Sequence, residues 1–147
     1  MIDKNQIGKT WPAIEVQVEK GQLLFFAKVL GETNPLYLDE QVAIAAGYSS
    51  LPAPPTFGFS LNLACPDPFL RYTSLGIDLN KVLHGEQGFE YIAPICAGDR
   101  IRLQDSLTDI YDKKDGALEF LTFTTNATNQ QGKPVLKMTS TLVVRNG

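Results

Sequence analysis

Residues 54–65, PPTFGFSLNLAC, decide the architecture, and they read two ways. Phe57, Phe59, Leu61 and Leu63 alternate with small or polar residues, which is the period of a strand. Pro55 suits equally well the first residue of a helix, where its missing N–H costs nothing. A helix here would be apolar over most of its surface, and therefore buried. Periodicity alone leaves both readings open.

On the N-terminal side, IEVQVE (14–19) alternates strictly and predicts a strand with one buried face. KGQLLFFAKVLGE (20–32) changes period. Leu23, Phe26, Ala27 and Leu30 fall at helical spacing, with Gly31 placed as the C-terminal cap. NPLYLDEQVAIAAGY (34–48) opens on a turn signal, and Asp39 suits the cap of a short helix ending at Gly47. SSLPAPP (49–55) is a rigid lead-in.

On the C-terminal side, CPDPFLRYTSLGIDLNK (65–81) has two prolines and little pattern. It reads as a long loop, and loops of this length in compact domains often serve as lids or binding segments. Leu83, Gly85, Gln87, Phe89 and Tyr91 then fall on one face of a strand, and PICAGDR (94–100) turns the chain. IRLQDSLTDIY (101–111) and ALEFLTFTTNAT (117–128) flank DKKDG (112–116), a hairpin-type loop. NQQGKP (129–134) turns into VLKMTSTLVV (135–144), with Leu136, Met138, Leu142 and Val144 on one face. Long strands joined by short turns make hairpins, so the expectation is an antiparallel meander following early helices. The class is α+β, in a single domain over 1–147.

Composition narrows the partners. Apolar residues make up 44% of the 147, enough for a core. The net charge is −3 and the Lys and Arg residues are scattered, so nucleic acid is not an expected partner. The first residues, MIDKNQIGKTWP, lack the apolar stretch of a signal peptide, and no apolar run approaches the roughly 18 residues of a membrane span. The expectation is a cytoplasmic chain. Cys65, Cys96 and the sole histidine, His84, are too few for a four-ligand zinc site, so no metal is expected. Both cysteines read as free, buried thiols. Trp11, Phe25, Phe26, Phe57 and Phe59 read as core.

Two longer stretches carry a family resemblance. GETNPLYLDEQVAIAAGYSSLPAPPTF (31–57) and VLHGEQGFEYIAPICAGDRIR (82–102) are similar to the MaoC-like dehydratases, more narrowly to their FAS1-like dehydratase, or MaoC N-terminal-type, branch. The resemblance runs over roughly 10–145, in order. It implies a hot-dog fold, in which a curved antiparallel sheet wraps a long central helix, and so assigns 55–64 to that helix against its own period. It also implies a dimer, either a homodimer or a heterodimer with another hot-dog chain. The implied chemistry is addition or removal of water across the 2,3 bond of an acyl thioester. The thioester is carried on coenzyme A or acyl carrier protein, and no further cofactor is needed.

Catalytic members of the family carry Gly-Asp, one residue, Asn-Pro, one residue, His. Here Gly31, Asn34 and Pro35 match, but Glu32 stands at the aspartate position and Tyr37 at the histidine position. Glu32 is a methylene too long, and a misplacement on the order of 1 Å can cost about a hundredfold in rate. Tyr37 keeps a hydrogen-bonding tip, yet a phenol with an ordinary pKa of about 10 is a poor base at neutral pH. Glu32 and Asn34 have a plain alternative reading, as caps of the turn.

The reaction needs a base and a way to hold the enolate oxygen. For the base, HGEQ (84–87) offers His84 and Glu86, two residues apart and hence on one face of a regular strand. Gly85 between them would admit a substrate to the backbone. The expectation is that His84 and Glu86, with Glu32, replace the lost dyad; an imidazole with a pKa of about 6.5 suits that work. The alternative is that His84 packs on the sheet and Glu86 pairs with a Lys or Arg. For the oxygen, the helix start at Pro55, Thr56 and Phe57 is the candidate, with the amides of Thr56 and Phe57 as donors. Asn34, Tyr37 and Gly85 complete the expected substrate contacts.

Two classes of function follow. One is a (3R)-3-hydroxyacyl-thioester dehydratase or enoyl-CoA hydratase acting as a dimer. The other is a non-catalytic subunit that holds the acyl thioester while a complete hot-dog partner does the chemistry. Tyr37 in place of histidine favours the second, and the intact HGEQ favours the first. A thioesterase is a weaker third reading.

Overall fold

A computed structural model describes residues 1–146. In chain order the elements are β1 (Ile14–Gln17), α1 (Lys20–Val29), α2 (Glu40–Ala45), α3 (Phe57–Leu61), α4 (Leu70–Thr73), β2 (Val82–Tyr91), β3 (Arg100–Lys113), β4 (Leu118–Thr128) and β5 (Pro134–Arg145). The strands form one antiparallel sheet in the order β1-β3-β4-β5-β2.

The ambiguous segment is helical. Phe57–Leu61 form α3, and Asn62–Ala64 continue as a 3₁₀ turn. Its strand-like alternation is two helical pairs interleaved. Phe57 and Leu61, four apart, are buried in the core with Leu136 and Met138. Phe59 and Leu63, also four apart, line a cavity on another face. A helix set between a sheet and a cavity is apolar on two sides, and that imitates period two. The helical stretch is short: Thr56 sits at φ +72° before it, and Pro66 and Pro68 follow it. Gly58 permits the close approach to the sheet, since a Cβ there would lie 2.2 Å from Leu136 Cδ2.

The early helices follow their signals. Gly31 takes φ +68° just after α1, and Asp39 Oδ1 accepts from the amides of Gln41 and Val42 at the start of α2. α1 reaches the core through Leu23 and Ala27, with Phe26 edge-on to Phe57 at 5.4 Å. Two expected core positions on it are corrected: Leu30 is exposed and Phe25 is 69% exposed, because a ten-residue helix lying on the sheet buries a single stripe.

The late strands depart from a simple meander at one place. β3, β4 and β5 are joined by hairpins as expected, the first through Lys114, Asp115 and Gly116, all at positive φ. β2, however, pairs with β5 and not with β3. Residues 92–99 make no hairpin. The amides of Ile92 and Ala93 donate to Val135 O, Ala53 N–H to Ile95 O, and Ala97 N–H to Leu51 O. The chain thus leaves one edge of the sheet, runs against 51–53, and returns beside β1. Leu136, Met138, Leu142 and Val144 share the inner face of β5 and join two apolar clusters, one under α1 and α3, the other around Trp11 and Phe123.

The segment 65–81 is more ordered than a bare loop. α4 and a 3₁₀ turn at Leu79–Lys81 lie within it. Its anchors are Tyr72, edge-on to Phe123 at 5.4 Å, and Ser74 Oγ, which accepts from Trp11 Nε1 at 2.9 Å. Among the described residues no helix is long and apolar enough to cross a membrane.

Candidate functional site

The loop after α1 uses its polar groups on itself. Glu32 Oε1 accepts from the amides of Thr33 and Asn34 at 2.9 and 2.8 Å, and Asn34 Oδ1 accepts from Leu36 N–H at 3.0 Å. Tyr37 stands beside a cavity of about 360 Å³, lined also by Tyr48, Pro54, Pro55, Gly58 and Tyr91. Burial first, then the neighbouring Tyr48, Glu32 and Tyr91, hold the Tyr37 phenol above its ordinary value. At neutral pH it is a hydrogen-bonding group and not a base.

The expected oxyanion donors have partners already. Thr56 N–H donates to Tyr91 Oη at 2.9 Å, and Phe57 N–H donates to Pro54 O at 3.1 Å. Tyr91 lies opposite Leu136 on the inner face of β2, which brings its hydroxyl to the helix start. The Phe57 side chain belongs to the core.

The pairing of His84 with Glu86 is corrected by a β-bulge. His84 lies opposite Leu142 and Glu86 opposite Thr141, so Gly85 is the extra residue and the alternation inverts across it. Leu83 and Glu86 therefore face outward, while His84, Gln87, Phe89 and Tyr91 face inward. Gly85 serves the bulge, since a Cβ there would lie 2.9 Å from Val143 Cγ2 and 3.2 Å from Thr141 O. The close approach at this glycine is to the neighbouring strand. In the single chain His84 and Glu86 occupy opposite faces, and the Glu32 carboxylate is held by its own loop.

His84 nevertheless faces a cavity. Its ring lies 5.6 Å from that of Phe59, with Nε2 at 3.0 Å from Glu86 O and 3.3 Å from Ser140 Oγ. A carbonyl only accepts, so the bond to Glu86 O requires the proton on Nε2 and leaves Nδ1 as the basic nitrogen of the neutral ring.

This cavity is the larger of the two, at about 620 Å³. That is within the usual range of ligand pockets. It lies between α3, the 65–81 segment and the sheet, with Trp11, Phe59, Leu63, Phe69, Leu103 and Leu142 among its apolar walls. Cys65 also lines it, half-buried where full burial was expected; Cys96 is buried.

The polar part of the cavity went unread in the sequence. Arg71, from α4, donates through Nη1 to Asp105 Oδ2 at 3.1 Å and through Nη2 to Tyr72 Oη at 2.6 Å. Thr125 Oγ1 donates to Asp105 Oδ1, and Asn62 Nδ2 donates to Thr125 Oγ1 at 3.3 Å. The guanidinium carbon lies 4.8 Å from the Tyr72 ring centre and 5.3 Å from that of Phe123. Among the described residues no group of three or more His, Cys, Asp and Glu side chains converges.

Residues 5–138 match the family described as the FAS1-like, dehydratase domain region. The chain belongs to this family. A UPF0336 protein of Saccharopolyspora erythraea is 38% identical over 147 residues, covering 98% of this chain and 92% of its own. A solved MaoC-like dehydratase superposes with a TM-score of 0.84 at 25% identity, over 95% of this chain; this chain spans only 42% of that longer one. The C-terminally truncated HadBC (3R-hydroxyacyl-ACP dehydratase) complex from Mycobacterium tuberculosis gives a TM-score of 0.79 at 25% identity, over 94% of this chain and 96% of that one. The architecture is accordingly the hot-dog fold, with α3 as the helix inside the sheet's curve. In this member of the family, Glu32 and Tyr37 occupy the two positions at which the resemblance implies an aspartate and a histidine.

Proposed function

We propose that this chain is the acyl-thioester-binding half of a hydratase or dehydratase assembly, paired with a second hot-dog chain that supplies the acid–base dyad. The substrate is an acyl group carried on coenzyme A or acyl carrier protein. The observation that carries this reading is the large apolar cavity between α3 and the 65–81 segment, in a chain whose own dyad positions hold Glu32 and Tyr37. The partner is suggested by β2, a ten-residue strand at the edge of the sheet. Such an edge is a template for pairing. The similarity to HadBC, a complex, points the same way.

A second reading has one observation in its favour. His84 lines the same cavity, with Nδ1 as its basic nitrogen, so a chain that hydrates enoyl thioesters alone would do so through His84. Loss of enone absorbance from a short trans-2-enoyl-CoA separates the two. On the first reading the isolated chain is inactive, and mixing with a hot-dog chain that carries the complete dyad raises the rate at least about a hundredfold, the lower end of what positioned acid–base catalysis contributes. Activity of the isolated chain that is abolished in His84→Ala would establish the second reading instead.

A further inference from the structure

The large cavity is not uniformly apolar, and its polar part is built around a cation. The Arg71 side chain is 9% exposed. Its guanidinium spends one N–H on Asp105 and one on Tyr72, which leaves donors unspent. Nε is buried and has no partner among the described residues. A buried donor without a partner is uncommon in folded proteins, because leaving one unmade costs the desolvation of the group.

The surrounding groups define what would satisfy it. Asp105, whose side chain is 21% exposed, already neutralises the guanidinium, so a carboxylate arriving here would meet a second carboxylate. A neutral oxygen would meet no such repulsion. Asn62 and Tyr72 add further polar atoms beside Arg71 in the cavity wall. The rest of that wall, from Trp11 and Phe59 to Leu103 and Leu142, suits methylene groups.

Resting on the acyl-binding reading above, we propose that this cavity selects acyl chains bearing a neutral oxygen along the tail, a ketone or a hydroxyl, which accepts a hydrogen bond from Arg71. Arg71 is then a specificity-determining residue, and the plain alkyl tail is the poorer ligand.

The test uses the full chain and pairs of ligands. Decanoyl-CoA is compared with oxodecanoyl-CoA esters whose ketone is scanned along the outer half of the tail. Trp11, the sole tryptophan and part of the cavity wall, reports entry by its fluorescence. The best keto ester binds about tenfold more tightly than decanoyl-CoA, the worth of roughly one added hydrogen bond. In Arg71→Met that ratio collapses to about one. Should this variant fail to fold, the Arg71 Nε–H resonance of the unaltered protein gives the same answer, shifting with the keto ester and not with decanoyl-CoA. Equal affinities for plain and keto esters, with binding of both, overturn the oxygen preference alone. Binding of neither overturns it together with the acyl-binding reading.

Discussion

The two cavities meet the same helix and treat their polar groups in opposite ways. The smaller one takes Gly58 and the prolines before α3, beside Tyr37. Around it the donors are spent: Thr56 N–H on Tyr91, the nearby loop amides on Glu32. The larger one takes Phe59, Asn62 and Leu63, and there a buried guanidinium keeps a donor in reserve. At the start of α3 and in the loop after α1, the chain's own hydrogen bonds occupy these amides. At the larger cavity it keeps both space and polarity.

The contrast predicts unequal energies, and the largest effect belongs to the larger cavity. Asp105 is the only carboxylate bonded to Arg71 among the described residues, and the pair is mostly buried. Asp105→Ala strands the guanidinium and should lower unfolding stability by about 3–5 kcal/mol, the usual result of removing one partner of a buried pair. Urea denaturation measures it. A loss below about 1 kcal/mol would mean the pair is solvated like a surface bridge, and the contrast between the cavities would dissolve.

At the smaller cavity the corresponding change is milder. Tyr91→Phe removes the hydroxyl that accepts from Thr56 N–H. That amide sits in an exposed stretch where water can replace the partner, so the loss should be about 1 kcal/mol or less. Freeing the donor should also leave the isolated chain without enoyl-CoA hydration, because Tyr37 stays protonated beside it. Measurable turnover in Tyr91→Phe would show that one hydrogen bond was all that held the corner shut.

Much of this fold was readable in the residues, and the failures share a cause. Capping signals gave α1 and α2, because Asp39 and Gly31 act within a few residues of themselves. The β3–β4–β5 hairpins were likewise local. The pairing of β2 with β5 was not, since it depends on how 92–99 bonds to 51–53 and 135. The bulge left a trace in Gly85, as isolated glycines in strand patterns often do, but its consequence, His84 and Glu86 on opposite faces, exists only against the register of β5. The Arg71–Asp105 pair joins a segment without period to the middle of a strand. Nothing in either stretch names the other.

The smallest effect concerns the carboxylate at the start of α2. Glu40 accepts from Lys20 Nζ and from Ser50 Oγ, tying α1 and α2 to the chain just before Pro52. The Lys20 bond first, then that from Ser50, hold its carboxyl below the ordinary value of 4.5. A carboxylate depressed in the folded state adds stability above its unfolded pKa and loses it as pH falls through the lower, folded one. Glu40→Gln should therefore be less stable than the unaltered chain at pH 7, by less than Tyr91→Phe costs, since the pair faces solvent. The gap should begin to close as the pH drops below about 4.5 and vanish once the folded carboxylate is protonated. Paired urea titrations across that window read it directly. A gap that stays constant into acid would assign the effect to the geometry of the Ser50 bond and not to charge.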